Sequence, residues 1–479
     1  MPVVDAEPTR TASHRWLSGW RLALVVTIVA IAIHLPGFIR TEVLNPDEAF
    51  LATQARVLND GGHLYVDVVD RKPPLVPYVY AATQRVTGSD GLEWVRLLAV
   101  ASHVVTALLL AAIARRRWGD QAAFAAALLY LIASVGLVVE DSQAANFEVF
   151  MLPLMCASML LGERGRDASA GIAVALATLA KQVAAATLLP LAYLAWRRNG
   201  ARGVLRLGAA FAIPIALTAA VFGWSDFFFW VFTGTGSYLD ASGSWSVALG
   251  RGAWGSFIFL CSNMGALILI IGVWRRRRED LDLWLWLVAG VIGASSGFRF
   301  FGHYFLQLAP PIALLAAGAL ANAKRPVWIR TAGFGVFTIV VSLSLAFTSH
   351  PNVLRSYNAV AAAVDARTGP DARIFVWGQF PEVYWASDRA PATRFLTSGF
   401  LTGFGGGRSA QHVGRQFAVD GAWDEFNDDL RVHPPALIVD ASVGTSFSID
   451  RFPEFASFVA ANYVKVETVS NNILLYARK

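Results

Sequence analysis

The chain has 479 residues, 55% hydrophobic and 15% charged, with 40 Lys and Arg against 34 Asp and Glu and a net charge of +6. Soluble domains average roughly 45–50% apolar and 25% charged, and the excess here falls into runs of about 17–22 residues, enough to cross a hydrocarbon core of roughly 30 Å. That excludes a soluble domain and defines a polytopic α-helical membrane protein. The positive charge sits in short loops between the runs rather than in a stripe that would bind nucleic acid.

Residues 1–21 carry Arg10, Arg15 and Arg21 before the first run and are expected to stay cytoplasmic, with that run retained as an anchor. Eleven spans are expected, at about 22–38, 92–113, 121–138, 146–162, 168–181, 183–196, 204–222, 253–274, 283–297, 302–321 and 327–347. The segment 168–196 is nearly continuous apolar sequence, yet "ERGRD" before it and "RRNGAR" after it both look cytoplasmic. Two short helices meeting at Lys181 and Gln182 satisfy that parity. Cys156 and Cys261 lie in or beside spans and have neither disulfide nor metal-ligand spacing.

With the N-terminus inside, the clusters at Arg115–Trp118, Arg197–Arg202 and Arg275–Asp280 all fall on the cytoplasmic side, as the positive-inside rule requires. A second set then gathers on the outer face of the plasma membrane. It comprises Asp47, Glu48, Arg71 and Lys72 in a first loop over 40–91, Glu140, Asp141 and Glu148 near the third loop, Lys181, and Arg299, His303 and Tyr304. Polar residues at membrane depth tend to face a cavity and mark function.

In the first loop, Glu48–Asp60 and Leu75–Val86 have the spacing of short amphipathic helices, with "DVVDRKPPLV" between them. The acidic pair in "LNPDEAF", "KPPL" some 25 residues later, "AANFEVFMLP", "LAKQVA" and "HYFLQLAPP" together resemble the GT-C glycosyltransferases. The closest resemblance is to the protein O-mannosyltransferase and aminoarabinose-transferase (ArnT-like) branch, over roughly the first 350 residues. It implies transfer of a sugar from a polyprenyl-phosphate carrier to an acceptor hydroxyl, with inversion, at the outer membrane face. By that resemblance Asp47 matches the catalytic acid of the first loop and Lys72 the phosphate-contacting lysine. ArnT-like members often carry Glu immediately before this lysine, associated with a bound metal. Here that position is Arg71, so no metal ligand is assigned and a divalent metal is left open.

Such a displacement needs a base for the acceptor's proton and positive charge for the departing phosphate. Asp47 suits the first task, with Glu48 as the neighbouring alternative. Adjacent residues on a helix point about 100° apart, so only one should face the site. Lys72, Arg71, Lys181 and Arg299 suit the second task, with His303 and Tyr304 close to them. Arg299 and His303, four residues apart, are expected to share a helical face. Glu148, and less so Asp141, are candidates for holding acceptor or sugar hydroxyls. Their bland roles are a first-turn residue and a helix cap.

From residue 350 the hydropathy falls. Helices over 353–367 and 409–430 and strands over 372–378, 435–441, 463–469 and 472–478 predict an extracytoplasmic α/β domain, 350–479. "GFGGGR" (Gly403–Arg408) lacks a phosphate-loop ending and reads as a flexible loop. The partners expected are a polyprenyl-phosphate-linked sugar, a hydroxyl acceptor on a cell-envelope polysaccharide, glycolipid or protein, and the bilayer. The alternative class is a transporter or lipid flippase with an outer domain. Transporters keep their binding groups near the midplane in repeated halves, whereas here the ionisable residues gather at the outer ends of spans.

Overall fold

The computed structural model describes residues 19–234, 243–273, 278–321, 323–349, 354–405, 407–469 and 472–479. Up to residue 349 its named elements are helices. Among the described residues, five helices are long and apolar enough to cross a membrane: Leu92–Trp118, Gln182–Phe222, Leu281–Phe298, Gly302–Ala321 and Arg325–Thr348. A sixth is the pair Trp245–Ser262 and Met264–Gly272, taken together although bent by 80°. Eleven crossings are therefore not established by helix length. Trp20–Ile33, Asp120–Val135 and Asp167–Ala180 are apolar but shorter, and the single span expected at 253–274 is broken beside Asn263.

The troublesome segment 168–196 breaks where sequence parity puts the break. Helix Asp167–Ala180 ends, Lys181 is extended (φ −156°, ψ 131°), and a 3-10 turn over Gln182–Thr187 leads into Leu188–Phe222. That last stretch is itself two helices. Gly200 at φ 57° turns the chain between them, a conformation only glycine adopts cheaply.

The Arg-rich loops meet at one end of the helices. Arg117 pairs with Glu163 at 2.6 Å, with Asp280 at 3.4 Å and with Asp282, while Arg198 donates to the Gly162 and Glu163 carbonyls. Packing divides the helices by their partners. The apolar window of Gly302–Ala321 is 89% buried and forms the inner helix, whereas that of Arg325–Thr348 is 22% buried. Leu24, Ile28, Leu205, Leu217, Val336 and Val340 form exposed apolar faces suited to lipid.

The first loop carries the two expected helices, Pro46–Asn59 and Leu75–Thr87. Neither simply lies on a membrane surface. Ala49, Leu51, Ala52 and Ala55 are completely buried, because this helix packs against Leu75–Thr87 on one side and the C-terminal region on the other.

The C-terminal region holds a five-stranded sheet in the order β2-β1-β3-β5-β4. The strands are β1 (Arg373–Trp377), β2 (Ala390–Pro391), β3 (Leu437–Asp440), β4 (Tyr463–Val469) and β5 (Ile473–Arg478). β1 runs parallel to β2 and β3, and β5 antiparallel to β3 and β4. Phe375 and Trp377 of β1 meet Phe426 and Phe455 edge-on or tilted, forming an aromatic core on one face of the sheet. The helix expected over 409–430 is two 3-10 turns, Ala410–His412 and Arg415–Phe417, followed by a helix confined to Ala422–Val432. Gly421, at φ 75°, starts that helix and excludes an earlier one.

This sheet region is fastened to the first loop. Arg56 pairs with Asp388 at 3.0 Å and with Asp90 at 2.6 Å, and donates to the Tyr384 carbonyl. The Val69 N–H donates to the Arg394 carbonyl, and the Trp385 indole to the Asp90 carbonyl.

Candidate active site

Asn45 caps helix Pro46–Asn59: its side-chain oxygen accepts the Asp47 N–H at 3.0 Å, and Pro46 fills the first helical position. The Asn45 amide donates to the Glu140 carbonyl, tying the cap to the third loop. Asp47 thus sits in the first turn, where the helix dipole favours a carboxylate. It faces a cavity of about 650 Å³.

Lys72 meets it there, with its ammonium 3.0 Å from the Asp47 carboxylate and 3.9 Å from the Phe147 ring centre. Pro73 and Pro74 follow, and the Tyr65 hydroxyl donates to the Lys72 carbonyl, so the backbone at this lysine is held. Burial pushes the Asp47 carboxyl up, but Lys72 beside it, together with His303 and Lys181, outweighs that effect and leaves it below the ordinary carboxylate value.

Glu48 does not face the cavity. It is completely buried, and Arg96 grips it with two bonds of 2.9 and 2.7 Å. It also accepts the Leu44 and Ala145 N–H groups. Arg96 spends its remaining donors on the carbonyls of Gly37, Arg40 and Glu42. The acidic pair therefore divides as helix geometry requires, and Glu48, expected as an alternative base, is a structural anchor.

Four more of the expected residues line the cavity. The Arg71 guanidinium lies 4.0 Å from the Phe400 ring centre. Lys181, buried at the helix break, pairs with Glu148 and lies 3.9 Å from the Tyr304 ring centre. His303 and Tyr304 come in on the turn that opens the inner helix. Glu148 and Asp141 stand behind this layer instead of in the cavity wall. Glu148 holds Lys181, and Asp141 holds the His303 ring through Nδ1. They were expected to touch acceptor or sugar hydroxyls; here they brace the residues that line the cavity.

Arg299 is the other displaced candidate. It is buried outside the cavity wall, donating to the Gly405 carbonyl at 2.8 Å and to the Ser244 hydroxyl at 3.4 Å. The face it was to share with His303 does not exist, because Phe298 and Phe300 have φ of 53° and 46° and break the helix on either side of Arg299.

Several lining residues were not anticipated. Asp70 lies two positions before Lys72. It is 5% exposed, and burial pushes its carboxyl up to about 6. Gln182, beside Lys181, donates to the Arg71 and Val231 carbonyls and so ties the helix break to the first loop. Gln379, Pro381, Phe400 and Phe404 close the cavity from the sheet region. Gln379 and Pro381 follow the carboxyl end of β1, the edge at which parallel sheets present loops to ligands. The expected flexible loop at Gly403 contributes Phe404 and Gly405 to this wall, held by Arg299 and by Arg408 donating to the Gly403 carbonyl.

Among the described residues no three His, Cys, Asp or Glu side chains are grouped to hold a metal ion. The Asp47 carboxylate is already neutralised by Lys72, so the residues present do not fit a divalent cation.

The chain shares its overall fold with two solved proteins, an ArnT and an archaeal oligosaccharyltransferase. Residues 71–224 match the model of a family described as dolichyl-phosphate-mannose-protein mannosyltransferase. ArnT from Cupriavidus metallidurans bound to undecaprenyl phosphate superposes on 96% of this chain and 98% of its own, with a TM-score of 0.62 at 15% identity. The oligosaccharyltransferase of Archaeoglobus fulgidus, tethered to an acceptor peptide containing the NVT sequon, covers 97% of this chain and 75% of its own. Its TM-score is 0.52 at 11% identity. No curated protein matches the chain in sequence.

Proposed function

We propose that this protein transfers a sugar from a polyprenyl-phosphate carrier to a hydroxyl acceptor at the outer face of the plasma membrane, with inversion at the anomeric carbon. The observation that carries the reading is the cavity itself. It places Lys72, Arg71 and Lys181 around one space with the Asp47 carboxylate, where a lipid phosphate and a reacting sugar would both be met. Undecaprenyl phosphate, bound by the structurally similar ArnT, is a ligand of this chemistry. Lys72 and Lys181 act as movable point charges on the phosphate, and Arg71 offers a planar fork. Asp47, kept ionised, faces the anomeric carbon, where positive charge develops as the phosphate leaves. The sheet region, supplying Gln379, Pro381, Phe400 and Phe404, covers the site and presents the acceptor. That acceptor is a cell-envelope polysaccharide, a glycolipid or a protein.

The deciding experiment incubates the protein in nanodiscs with a panel of radiolabelled polyprenyl-phosphate sugars and a membrane extract. Label should leave one carrier and appear on an acceptor. Lys72→Ala should then weaken donor binding and turnover together by roughly 10- to 100-fold, the worth of one hydrogen bond to a charged group. Lys72→Arg should recover part of the loss. An unaffected Lys72→Ala would reduce "KPP" to a structural turn.

The sidedness in this proposal, with the N-terminus inside and an odd number of crossings, is tested by cysteine labelling. In a chain lacking Cys261, which is exposed, a cysteine at Asp388 should react with an impermeant thiol reagent from outside, and one at Arg197 should not. Labelling of both from one side would remove the topology.

A further inference from the structure

We propose that Asp70, and not Asp47, takes the proton from the acceptor hydroxyl, so that the cavity works with two carboxylates of different duty. The inference deepens the transferase reading above and rests on it. Among the described residues, Asp47 and Asp70 are the carboxylates that line the cavity. They differ in what their oxygens are doing. Asp47 carries the Lys72 ammonium at 3.0 Å, so protonating it means first parting an ion pair.

Asp70 is fixed by its own turn: Oδ1 accepts the Arg71 N–H at 2.7 Å. Its Oδ2 is buried and has no hydrogen-bond partner among the described residues. A buried carboxylate oxygen left without a donor costs free energy, and an incoming hydroxyl supplies the missing donor. The surrounding charge agrees with the geometry. Burial raises Asp70 to about 6, with Lys72 and Arg71 opposing and Asp47 adding to the rise. A base is most effective when its pKa lies near the working pH, and Asp47, held below the ordinary carboxylate value, is the weaker of the two.

The step balances without a co-reactant. The acceptor O–H bond breaks and its proton passes to Asp70 Oδ2. The acceptor oxygen forms its bond to the anomeric carbon, and the carbon–oxygen bond to phosphate breaks with its electron pair. Polyprenyl phosphate leaves as the dianion, and Asp70 returns the proton to solvent. The overall charge is conserved: a monoanionic phosphodiester and one carboxylate become a dianionic phosphate and one carboxylic acid.

The groups whose charge bears on Asp70 are Asp47, Lys72, Arg71 and the Tyr65 phenol, with Lys181 and His303 elsewhere in the cavity wall. Glu382 is a buried carboxyl pushed up to about 7, one residue beyond the cavity wall, and serves as the control. The test measures donor affinity and single-turnover transfer from the carrier identified above, between pH 4.5 and 8.5, for wild type, Asp70→Asn, Asp70→Glu, Asp70→Ala and Glu382→Gln. Wild-type transfer should fall on the acid side near pH 6, and Glu382→Gln should keep that limb. Asp70→Asn should bind donor within about threefold of wild type, transfer 10²–10⁴-fold more slowly, and lose the limb. Asp70→Glu should retain part of the rate, and added formate should rescue Asp70→Ala, which a purely structural role would not allow. A wild type that transfers sugar alongside an equally fast Asp70→Asn, or an Asp70→Asn that keeps the acid limb, overturns this inference alone. A wild type that releases sugar from no carrier overturns the transferase reading and this one with it.

Discussion

Asp47→Asn is expected to bind a polyprenyl-phosphate donor at least as tightly as the wild type and to transfer its sugar roughly 10²–10³-fold more slowly, the usual worth of a preorganised electrostatic contact at a reacting centre. The two halves of this result have one cause. Asp47 holds the Lys72 ammonium at 3.0 Å before donor arrives. A neutral amide releases that ammonium, so the donor phosphate no longer competes for it and binding does not suffer. In the transition state the anomeric carbon becomes positive, and the amide cannot answer that charge. The acid limb of the pH profile should survive in Asp47→Asn, because the proton goes elsewhere. Donor affinity and single-turnover transfer in nanodiscs measure both halves. A variant with near wild-type turnover would remove Asp47 from the chemistry; one that turns over slowly and also loses the acid limb would return the base to Asp47.

Glu48→Gln should injure the protein by a different route. On the sequence alone this change next to Asp47 is expected to be the milder of the two. The structure makes it the more damaging to stability. Arg96 is 2% exposed and loses the carboxylate that is bonded to it, while the amide turns a donor toward the Leu44 or Ala145 N–H. Breaking a buried ion pair on one side costs about 3–5 kcal/mol. The expected outcome is a large fall in thermal midpoint and yield, with whatever folded protein remains keeping the wild-type pH profile. A Glu48→Gln protein of normal stability that has lost transfer would put Glu48 back among the reacting groups.

Much of this was legible in the chain because it is local. Pro46 after Asn45 announces a helix start, and "KPP" a rigid approach. The Lys181 break follows from loop parity, and the strands at 373–377 and 437–440 from short apolar runs. What escaped depends on distant partners. Nothing near Arg96 marks it as the mate of a glutamate 48 positions earlier. Arg299 was misplaced because it is flanked by two residues with positive φ, and neither Phe298 nor Phe300 is a residue type that signals such a turn. Asp70 stood inside a quoted motif yet was passed over, since only the folded protein shows that one of its oxygens is left without a donor. The cavity's outer wall comes from residues some 300 positions beyond Asp47, and the spacing of the first loop carries no trace of it.

The Glu48–Arg96 pair also sets an order of events during synthesis. When the first loop leaves the membrane, the guanidinium that will neutralise Glu48 has not yet been made, nor has the Ala145 N–H that completes its shell. The helix bearing Asp47 gains these contacts only after Leu92–Trp118 and the third loop have been made. It gains its outer support later still, when Tyr384 and Asp388 arrive for Arg56. A growing chain therefore carries Asp47 well past the synthesis of its own helix before these distant contacts hold that helix in place.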